Sequence, residues 1–312
     1  MNAPAQTYEQ FLEAMVEEIR VPDSMYESAE RSYRSFGDWV HRPESELLKF
    51  DPEVYSQGSF RLGTAIKPIT NAEEYDVDSV CELRKLGKDV ITQSELKKLV
   101  GGEVHKYHAA HAMTEPVHEG NRCWRLDYAD GARFHMDILP AVPNAKEFIA
   151  ILTANFRDPT WANTSIAITD KRHPNYQVLN SVWPRSNPKG YSEWFASRQM
   201  FVAYRRKAQI VANLRAQGIA TMSVEDLPEY KARTPLQSAI MILKRHRDNM
   251  FATNPDIKPI SIIITTLAGH SYENEDTIRE ALQVILLKMD RFESGGEKVG
   301  HGSGGIMLLR AE

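Results

Sequence analysis

The stretch QGSFRLGTAIKPITNAEEYDVDSVCEL, residues 57–83, decides how the fold is interpreted. Its last part is a valine-containing run that predicts a β-strand. Asp76 and Asp78 are two residues apart in this run, so their side chains point to the same face of the strand. Two like charges side by side repel each other, and a bound divalent cation is a common reason for keeping them together. The stretch therefore predicts a strand that carries a cation site.

A second strand carries a third carboxylate. The segments CWRLDY (123–128) and ARFHMDIL (132–139) flank an Asp-Gly pair, which is a strong signal for a β-hairpin turn. In the second segment apolar and polar residues alternate, so one face of the strand is apolar and the other carries Asp137. We expect Pro140 and Pro143 to end this strand.

Three carboxylates from neighbouring strands would form a hard, all-oxygen site of the kind that suits Mg²⁺. The ligands would be Asp76, Asp78 and Asp137. Two such ions can clamp the attacking and leaving oxygens of an in-line displacement at phosphorus, and Mn²⁺ can replace them. Asp137 would then lie where it can accept the proton of the attacking hydroxyl.

The Gly58-Ser59 pair fits the same chemistry. A glycine lets the backbone approach a phosphate, and successive N–H groups in a turn make an anion-binding nest to which the serine hydroxyl adds a donor. A triphosphate also needs cations. Basic runs are commonly solvated helix faces, but from the run KRHR (244–247) we select Lys244 as a phosphate ligand.

Each element also has an interpretation without a site. Asp-x-Asp alone is common at solvated strand edges, and Gly-Ser alone carries little information. We interpret His135 as a packed or hydrogen-bonded histidine rather than a ligand. His105, His108 and His111 recur at every third residue without a nearby cysteine, so surface or loop positions are favoured over a zinc site.

Composition limits the possible functions and partners. The net charge of −4 over 312 residues does not favour a protein that grips long nucleic acid. No apolar run approaches the ~20 residues of a membrane span, and the acidic N-terminal segment lacks a signal-peptide core, so we expect a cytoplasmic protein. Cys81 and Cys123 are expected to be buried, reduced thiols.

Helical patterns dominate both ends of the chain. A capping box with Thr7 as the N-cap predicts a first helix that ends at Pro22, and a second helix is predicted over about 24–40. TPLQ (234–237) combines an N-cap, a proline and a capping glutamine at the start of another helix. The segment EDTIREALQVILLKMDRF (275–292) is strongly amphipathic.

Between these patterns the predictions are weaker. A short helix is predicted near 94–100, with a break at Gly101-Gly102. Residues 148–188 are predicted to be polar and loop-rich, and PISIIITTLAGHSY (259–272) fits either a buried helix or a strand.

Together these patterns predict an α+β fold with two lobes. The N-terminal lobe, residues 1–185, is built on a small mixed sheet preceded by helices, and residues 186–292 form a helical lobe. The Gly-rich tail, residues 293–312, has no periodicity and is expected to be disordered.

The motifs in their order resemble a known superfamily. Gly-Ser, then Asp-x-Asp in a strand, then a single Asp in a second strand is similar to the nucleotidyltransferases that include DNA polymerase beta and the oligoadenylate synthases. The wording of five motifs is similar to one branch, the bacterial cGAS/DncV-like nucleotidyltransferases (CD-NTases). These motifs are QGSFRLGTAIKP, EYDVDSVCEL, FHMDILPAVP, TPLQSAIMILKRHRD and KPISIIITTLAGHSY, and they span most of the chain.

The resemblance implies a two-lobed nucleotidyltransferase fold with the active site in the cleft between the lobes. It implies Mg²⁺-dependent synthesis of a cyclic di- or trinucleotide from nucleoside triphosphates, with pyrophosphate released. In bacteria such enzymes belong to anti-phage (CBASS-type) signalling, in which the diffusible product activates a separate effector and accessory proteins can regulate the synthase.

The resemblance also implies roles for individual residues. Asp76 and Asp78 would ligate both metal ions, and Asp137 would ligate one of them and help to activate the hydroxyl. The triphosphate and the phosphates of the donor nucleotide would be held by Gln57, Gly58, Ser59, Lys244 and Ser261.

Two segments depart from the family pattern. The insert between Ser59 and Asp76 is long and contains ITNAEE. The tail GGEKVGHGSGGIMLLRAE stands where relatives continue with an Asn-Pro segment and a Trp-bearing helix, so a diverged or shortened C-terminus is expected. The second departure bears on how the helical lobe closes and on contacts made through the tail.

Two alternatives remain open from the sequence. The same metal site could serve a template-independent polymerase that makes linear oligonucleotides or modifies RNA ends, although the acidic balance weakens that hypothesis. The unusual tail also leaves open a catalytically inactive nucleotide-binding module that regulates a partner.

Overall fold

The structure is a computed structural model that describes residues 3–70, 74–128, 134–218, 223–224 and 229–294. The predicted Asp-Gly turn of the hairpin, part of the ITNAEE insert and the tail beyond residue 294 lie outside the described residues.

A mixed sheet organises the N-terminal part of the described chain. Its seven strands are β1 (Pro52–Ser56), β2 (Tyr75–Leu83), β3 (His118–Glu119), β4 (Trp124–Tyr128), β5 (Phe134–Pro143), β6 (Ile166–Ile168) and β7 (Arg185–Ser186). The order is β1-β2-β5-β4-β3, with β6 beside the far end of β5 and β7 beside β6. β2 and β5 run parallel and the other pairs antiparallel, so the predicted mixed sheet is confirmed.

Helices precede, flank and follow the sheet. They are α1 (Ala3–Ile19), α2 (Asp23–Val40), α3 (Gly58–Arg61), α4 (Gln93–Ala110), α5 (Ala145–Ala154), α6 (Pro188–Ser197), α7 (Met200–Ala216), α8 (Pro235–Met250), α9 (Ser261–Ser271) and α10 (Ile278–Ser294). The α+β class and its C-terminal helical lobe are therefore confirmed, and the ambiguous run at 259–272 is the helix α9. None of the helices among the described residues is long and apolar enough to cross a membrane.

Capping signals predicted one helix start well and another badly. At α8 the Thr234 hydroxyl accepts a hydrogen bond from the Gln237 backbone N–H at 3.2 Å, so the predicted cap is confirmed. The N-cap predicted at Thr7 is wrong, because α1 already begins at Ala3. Pro4 occupies the first turn of α1, where a missing N–H costs no helical hydrogen bond.

Two predicted interruptions of regular structure are also wrong. α4 continues through Gly101 because the helix packs tightly there on Trp124: a Cβ at residue 101 would lie 2.4 Å from the indole ring. β5 continues through Pro140 and ends at Pro143, so the prediction is wrong for the first proline and confirmed for the second. Pro140 pairs with Cys81 of β2 on one side. On the other side the pairing with β4 ends at Ile138 and the pairing with β6 begins at Ala141, so the proline lies in a gap between these two partner strands, where it is tolerated.

The segment predicted as loop-rich, residues 148–188, contains regular structure. It includes most of α5 together with β6 and β7. Phe148 and Leu152 of α5 are buried with Ala162 in a small apolar cluster, which explains why this short helix forms despite its polar surroundings.

Two main apolar cores stabilise the chain. The larger core lies between the sheet, α2 and α4 and includes Phe36, Leu96 and Met136. The second joins α6, α8, α9 and α10, and Leu62 from the N-terminal part inserts into it. α1 packs on this helical part as well, since Val16 clusters with residues of α8 and α10. The boundary at residues 185/186 stays a prediction.

Candidate active site

One face of the central strand pair carries the predicted carboxylates. In the parallel pairing of β2 with β5, Asp76 lies opposite His135 and Asp78 lies opposite Asp137. In the antiparallel pairing of β5 with β4, Arg125 lies opposite Asp137. The register therefore brings the Asp76, Asp78 and Asp137 positions together, as the sequence predicted.

The alternation of side chains explains why this face can be polar. The residues between the carboxylates, Val77 of β2 and Met136 of β5, point to the opposite face and are buried in the larger core. Leu126 of β4 joins them there. Because the period of a strand is two, burying these apolar residues leaves the acidic ones on the exposed side.

A group of possible metal ligands lies on this face. Ligand atoms of Asp76, His135 and Asp137 all lie within 4.8 Å of one another, and among the described residues Glu74, Asp127 and His135 form a second such group. The carboxylate of Asp78 is not in either group and lies instead against Gly58.

The electrostatics of Asp78 indicate why a cation fits here. Burial, and then the charges of Asp76 and Asp137, raise the pKa of Asp78 to about 7. An ion among these carboxylates would relieve their repulsion, and carboxylate oxygens are the ligands that Mg²⁺ prefers. The residues present therefore fit a hard divalent cation.

His135 is a hydrogen-bonded histidine, in line with our interpretation. Its Nε2 lies 3.1 Å from Asp76 Oδ1 and its Nδ1 lies 3.4 Å from Glu74 Oε2. Hydrogen bonding to Asp76 raises the pKa of His135 against the effect of burial. A histidine that is hydrogen-bonded to a candidate metal ligand can position that carboxylate, and this role was not anticipated from the sequence.

Among the described residues, the other three histidines are not in a group of possible metal ligands. They lie on α4 or at its C-terminal cap, with His105 and His111 exposed and His108 half-buried, so surface positions are confirmed over loop positions. One ring nitrogen of each histidine lies within hydrogen-bond distance of a backbone carbonyl. The carbonyls are that of Gly101 for His105, that of Glu115 for His108 and that of Tyr107 for His111.

Asp137 is surrounded by donors. Arg125 donates from Nε to Oδ1 at 2.9 Å and from Nη2 to Oδ2 at 3.3 Å. The Cys123 thiol also donates to Oδ2, at 3.3 Å. Burial and the neighbouring Asp137 raise the pKa of Cys123 to about 12, so the thiol stays protonated.

The two cysteines differ in their surroundings. Both are free, as predicted, and Cys81 is fully buried in the core. Cys123 is only half-buried and borders the candidate site, so the expectation of a buried thiol is wrong for this residue. The Arg125 position follows the same alternation as Asp137 on the facing strand, a signal in WRLDY that could have revealed it.

The Gly58-Ser59 turn is fastened to the strand that bears Asp78. The backbone N–H of Gln57 donates to the carbonyl of Asp78 at 2.9 Å. Gly58 has φ +65°, and a Cβ there would lie 2.3 Å from Asp78 Oδ2, so glycine is needed twice over. Ser59 follows in the first turn of α3, where the helix itself leaves N–H groups free for a ligand.

A cleft of about 530 Å³ opens between the sheet and the helical lobe. It brings together Ser59 and Asp76 from one side and Lys244 and Ser261 from the other. Four of the predicted site residues, from both lobes, therefore line one cavity.

Lys244 and Ser261 already have partners within the protein. Lys244 is buried and donates to the Thr64 carbonyl at 2.9 Å, and burial lowers the pKa of its ammonium to about 8. Ser261 Oγ accepts from Arg247 Nη1 at 2.8 Å, and Arg247 pairs with Asp248 at 2.6 Å. Arg247 lines the cleft and was missed, although it lies three residues after Lys244 on the same helix.

Helix α8 grips the segment that follows α3. Gln237 Nε2 donates to the Leu62 carbonyl at 2.9 Å, Lys244 donates to Thr64, and Arg245 donates to the Lys67 carbonyl. One helix of the helical lobe thus holds the backbone adjoining the Gly58-Ser59 turn.

This fold, with Asp76 lining the cleft and with Asp78 and Asp137 on the same face of the sheet, is that of the nucleotidyltransferase class. Residues 52–140 match the family described as "Cyclic GMP-AMP synthase DncV-like, nucleotidyltransferase domain". Residues 52–140 therefore form a cGAS/DncV-like nucleotidyltransferase domain, the family that the motifs predicted.

Curated relatives support this assignment. The chain is 28% identical over 288 residues to the "c-di-GMP synthase" of Roseivirga ehrenbergii, covering 92% of this chain and 66% of that protein. It is 24% identical over 275 residues to the "Cyclic dinucleotide synthase CdnG" of Bradyrhizobium diazoefficiens, covering 81% of this chain and 56% of that protein. The chain thus spans just under two thirds of the first relative and little more than half of the second.

Solved structures share the fold. The Bradyrhizobium diazoefficiens CD-NTase CdnG in complex with GTP aligns with a TM-score of 0.60 at 22% identity, covering 88% of this chain and 73% of that one. The E. coli CdnC:HORMA-deltaN complex gives 0.55 at 12% identity, covering 91% and 72%. The two-lobed architecture is therefore confirmed.

Proposed function

We propose that this protein is a Mg²⁺-dependent nucleotidyltransferase that makes a cyclic di- or trinucleotide second messenger from nucleoside triphosphates. The observation that carries the proposal is the register of β2 and β5, which sets Asp76, Asp78 and Asp137 on one face beside the interlobe cleft. The names of the curated relatives, a c-di-GMP synthase and a cyclic dinucleotide synthase, support cyclisation.

The chain's own residues would bind and orient the donor nucleotide. The backbone of the Gly58-Ser59 turn, with Gln57 before it, would hold the terminal phosphates through N–H groups. Lys244, and Ser261 held by Arg247, would contact the phosphates from the helical lobe, so that nucleotide binding draws both walls of the cleft together.

The carboxylates would divide the remaining work. Asp76 and Asp78 would hold two Mg²⁺ ions and Asp137 would hold one of them, and His135 would orient Asp76. When bound, such ions neutralise charge on the attacking and leaving oxygens, and Mn²⁺ can do the same. Asp137 would accept the proton of the acceptor hydroxyl, whose oxygen bonds to the α-phosphorus while the bond to pyrophosphate breaks.

The biological setting is part of the proposal. The product would act in bacterial anti-phage (CBASS-type) signalling by diffusing through the cytoplasm to a separate effector. An accessory protein is a further expected partner, since the related fold of CdnC occurs in complex with a HORMA protein.

The test is product analysis. The purified protein is incubated with all four nucleoside triphosphates and Mg²⁺ or Mn²⁺, treated with phosphatase, and the resistant material is analysed by mass spectrometry. A cyclic product has lost its terminal triphosphate, whereas the linear product of a template-independent polymerase has not. Nucleotide binding without pyrophosphate release would favour the inactive regulatory module instead.

A further inference from the structure

We propose that Arg125 is a positioning residue for Asp137 that sets the orientation of this carboxylate and, through its charge, weakens the binding of a divalent cation by the nucleotide-free site. The inference deepens the proposed function and rests on it.

The geometry of the pair is that of a fork. Arg125 and Asp137 lie directly opposite each other in the pairing of β4 with β5. Nε lies 2.9 Å from Oδ1 and Nη2 lies 3.3 Å from Oδ2, so both carboxylate oxygens are engaged by one planar guanidinium. A bidentate contact fixes the plane of the carboxylate as well as its position, which an ammonium cannot do.

Further contacts hold Asp137 from its other sides. The Cys123 thiol donates to Oδ2, and the Ser79 hydroxyl donates to the Asp137 backbone carbonyl at 3.0 Å. The Asp137 side chain is 16% exposed, whereas that of Arg125 is 40% exposed. The carboxylate is therefore set within the sheet, while the guanidinium that contacts it is more exposed.

The charge of Arg125 acts on the whole site. The carboxylates of Asp76, Asp78 and Asp137 attract a cation, whereas Arg125 carries a positive charge beside Asp137. An incoming divalent cation is attracted by the carboxylates and repelled by the guanidinium. Removing the guanidinium should therefore strengthen cation binding, while Asp137 loses its fixed orientation and turnover falls.

Stronger cation binding combined with lower turnover distinguishes a positioning role from a general loss of structure. A disrupted sheet would weaken cation binding and turnover together. A direct contact between Arg125 and substrate would raise KM for the nucleotides and leave binding of the cation alone unchanged.

The experiment measures Mn²⁺ binding to the nucleotide-free protein by electron paramagnetic resonance, and kcat and KM by pyrophosphate release. We expect Arg125→Gln to bind Mn²⁺ roughly tenfold more tightly. Its kcat should fall at least about tenfold with KM within about twofold of the wild type. The matched control is Arg122→Gln, which breaks an Arg–Asp pair of 2.8 Å to Asp170 outside the site and should change neither quantity.

Two further variants complete the test. In an Asp137→Asn background Arg125→Gln should still strengthen Mn²⁺ binding, because the charge of Arg125 also acts on Asp76 and Asp78. It should cause no further fall in kcat, because the carboxylate that Arg125 orients is gone. Arg125→Lys, which keeps the charge and loses the fork, should retain Mn²⁺ affinity within about twofold and show a reduced kcat; it carries the test if Arg125→Gln fails to fold.

Unchanged or weaker Mn²⁺ binding by folded Arg125→Gln, or full kcat in Arg125→Lys, would overturn the inference. A wild-type protein that binds no Mn²⁺ would instead overturn the metal site of the proposed function, so the two failures are distinguishable.

Discussion

The two faces of the β2–β5 strand pair differ in what they contribute. On one face Val77, Met136 and Ile138 are buried in the larger core and favour folding through the apolar surface they remove from water. On the other face Asp76, Asp78 and Asp137 repel one another, and the pKa of Asp78 rises to about 7. The comparison teaches that the same two strands supply stability from one side and a site that needs a ligand from the other.

The largest expected effect comes from removing two carboxylates from the polar face of the strand pair. Asp76→Ala combined with Asp78→Ala should lower turnover on the order of 10³-fold or more, since the residues proposed to hold both ions are lost. Pyrophosphate release measures the effect, and the control is Asp158→Ala, an exposed aspartate outside the site that accepts hydrogen bonds from Thr160. Wild-type turnover in the double variant would remove the metal assignment.

The apolar face should respond in stability instead. Met136→Ala removes a fully buried side chain and should cost about 3 kcal/mol of unfolding free energy. Denaturant unfolding measures the loss, and the Mn²⁺ affinity of the remaining folded protein should be unchanged. If Met136→Ala lost cation binding while keeping full stability, the two faces would not have these separate roles.

The close contact between Gly58 of the turn and Asp78 of the polar face can be disrupted by adding one methyl group. Gly58→Ala places a methyl group where Asp78 Oδ2 lies and forces φ +65° on an alanine, so kcat/KM should fall about 100-fold. Gly102→Ala is the matched control, because nothing lies within 4 Å of its added Cβ; in the middle of α4 it should stabilise the protein by about 0.5 to 1 kcal/mol. Equal activity of the two variants would argue against a tight turn at the site.

The last effect is a gain in stability that depends on pH. The pKa of Asp78 rises from 3.8 to about 7 on folding, so between these values the folded protein holds a proton that the unfolded chain has released. The metal-free wild type should therefore lose stability as the pH rises from about 4 to about 7. Asp78→Asn should remove this loss and be more stable above pH 7 by up to about 4 kcal/mol.

Thermal unfolding in the presence of a chelator, measured from pH 4 to pH 8, follows this difference. The two proteins should converge at the acidic end. Saturating Mg²⁺ should stabilise the wild type and reduce its disadvantage. A constant difference across the pH range would show that the substitution acts through packing rather than charge.

Local patterns were enough to predict the strands and the shared face of the carboxylates. The alternation around Asp76 and Asp137 follows from the period of two in a strand, which needs no knowledge of neighbours. The register that sets Asp78 opposite Asp137 joins two parallel strands over a long connection, and nothing local in the sequence encodes it. The fork of Arg125 depends on that register and on the pairing of β4 with β5.

The errors share a physical cause. Gly101 and Pro140 were interpreted as interruptions because both weaken regular structure when considered alone. In the fold, Gly101 makes room for the Trp124 ring and Pro140 falls in a gap between partner strands. Tertiary packing therefore decides whether such residues end an element, and a single sequence does not display that packing.

The hold of α8 on the segment after α3 has a kinetic consequence. Three side chains of α8, those of Gln237, Lys244 and Arg245, donate hydrogen bonds to the backbone that follows α3. These bonds link the two walls of the cleft that would bind phosphate. If the walls must part for a bulky product to escape, each catalytic cycle has to rupture these contacts. These contacts would then slow product release rather than the chemical step, and substitutions that weaken them should speed product release.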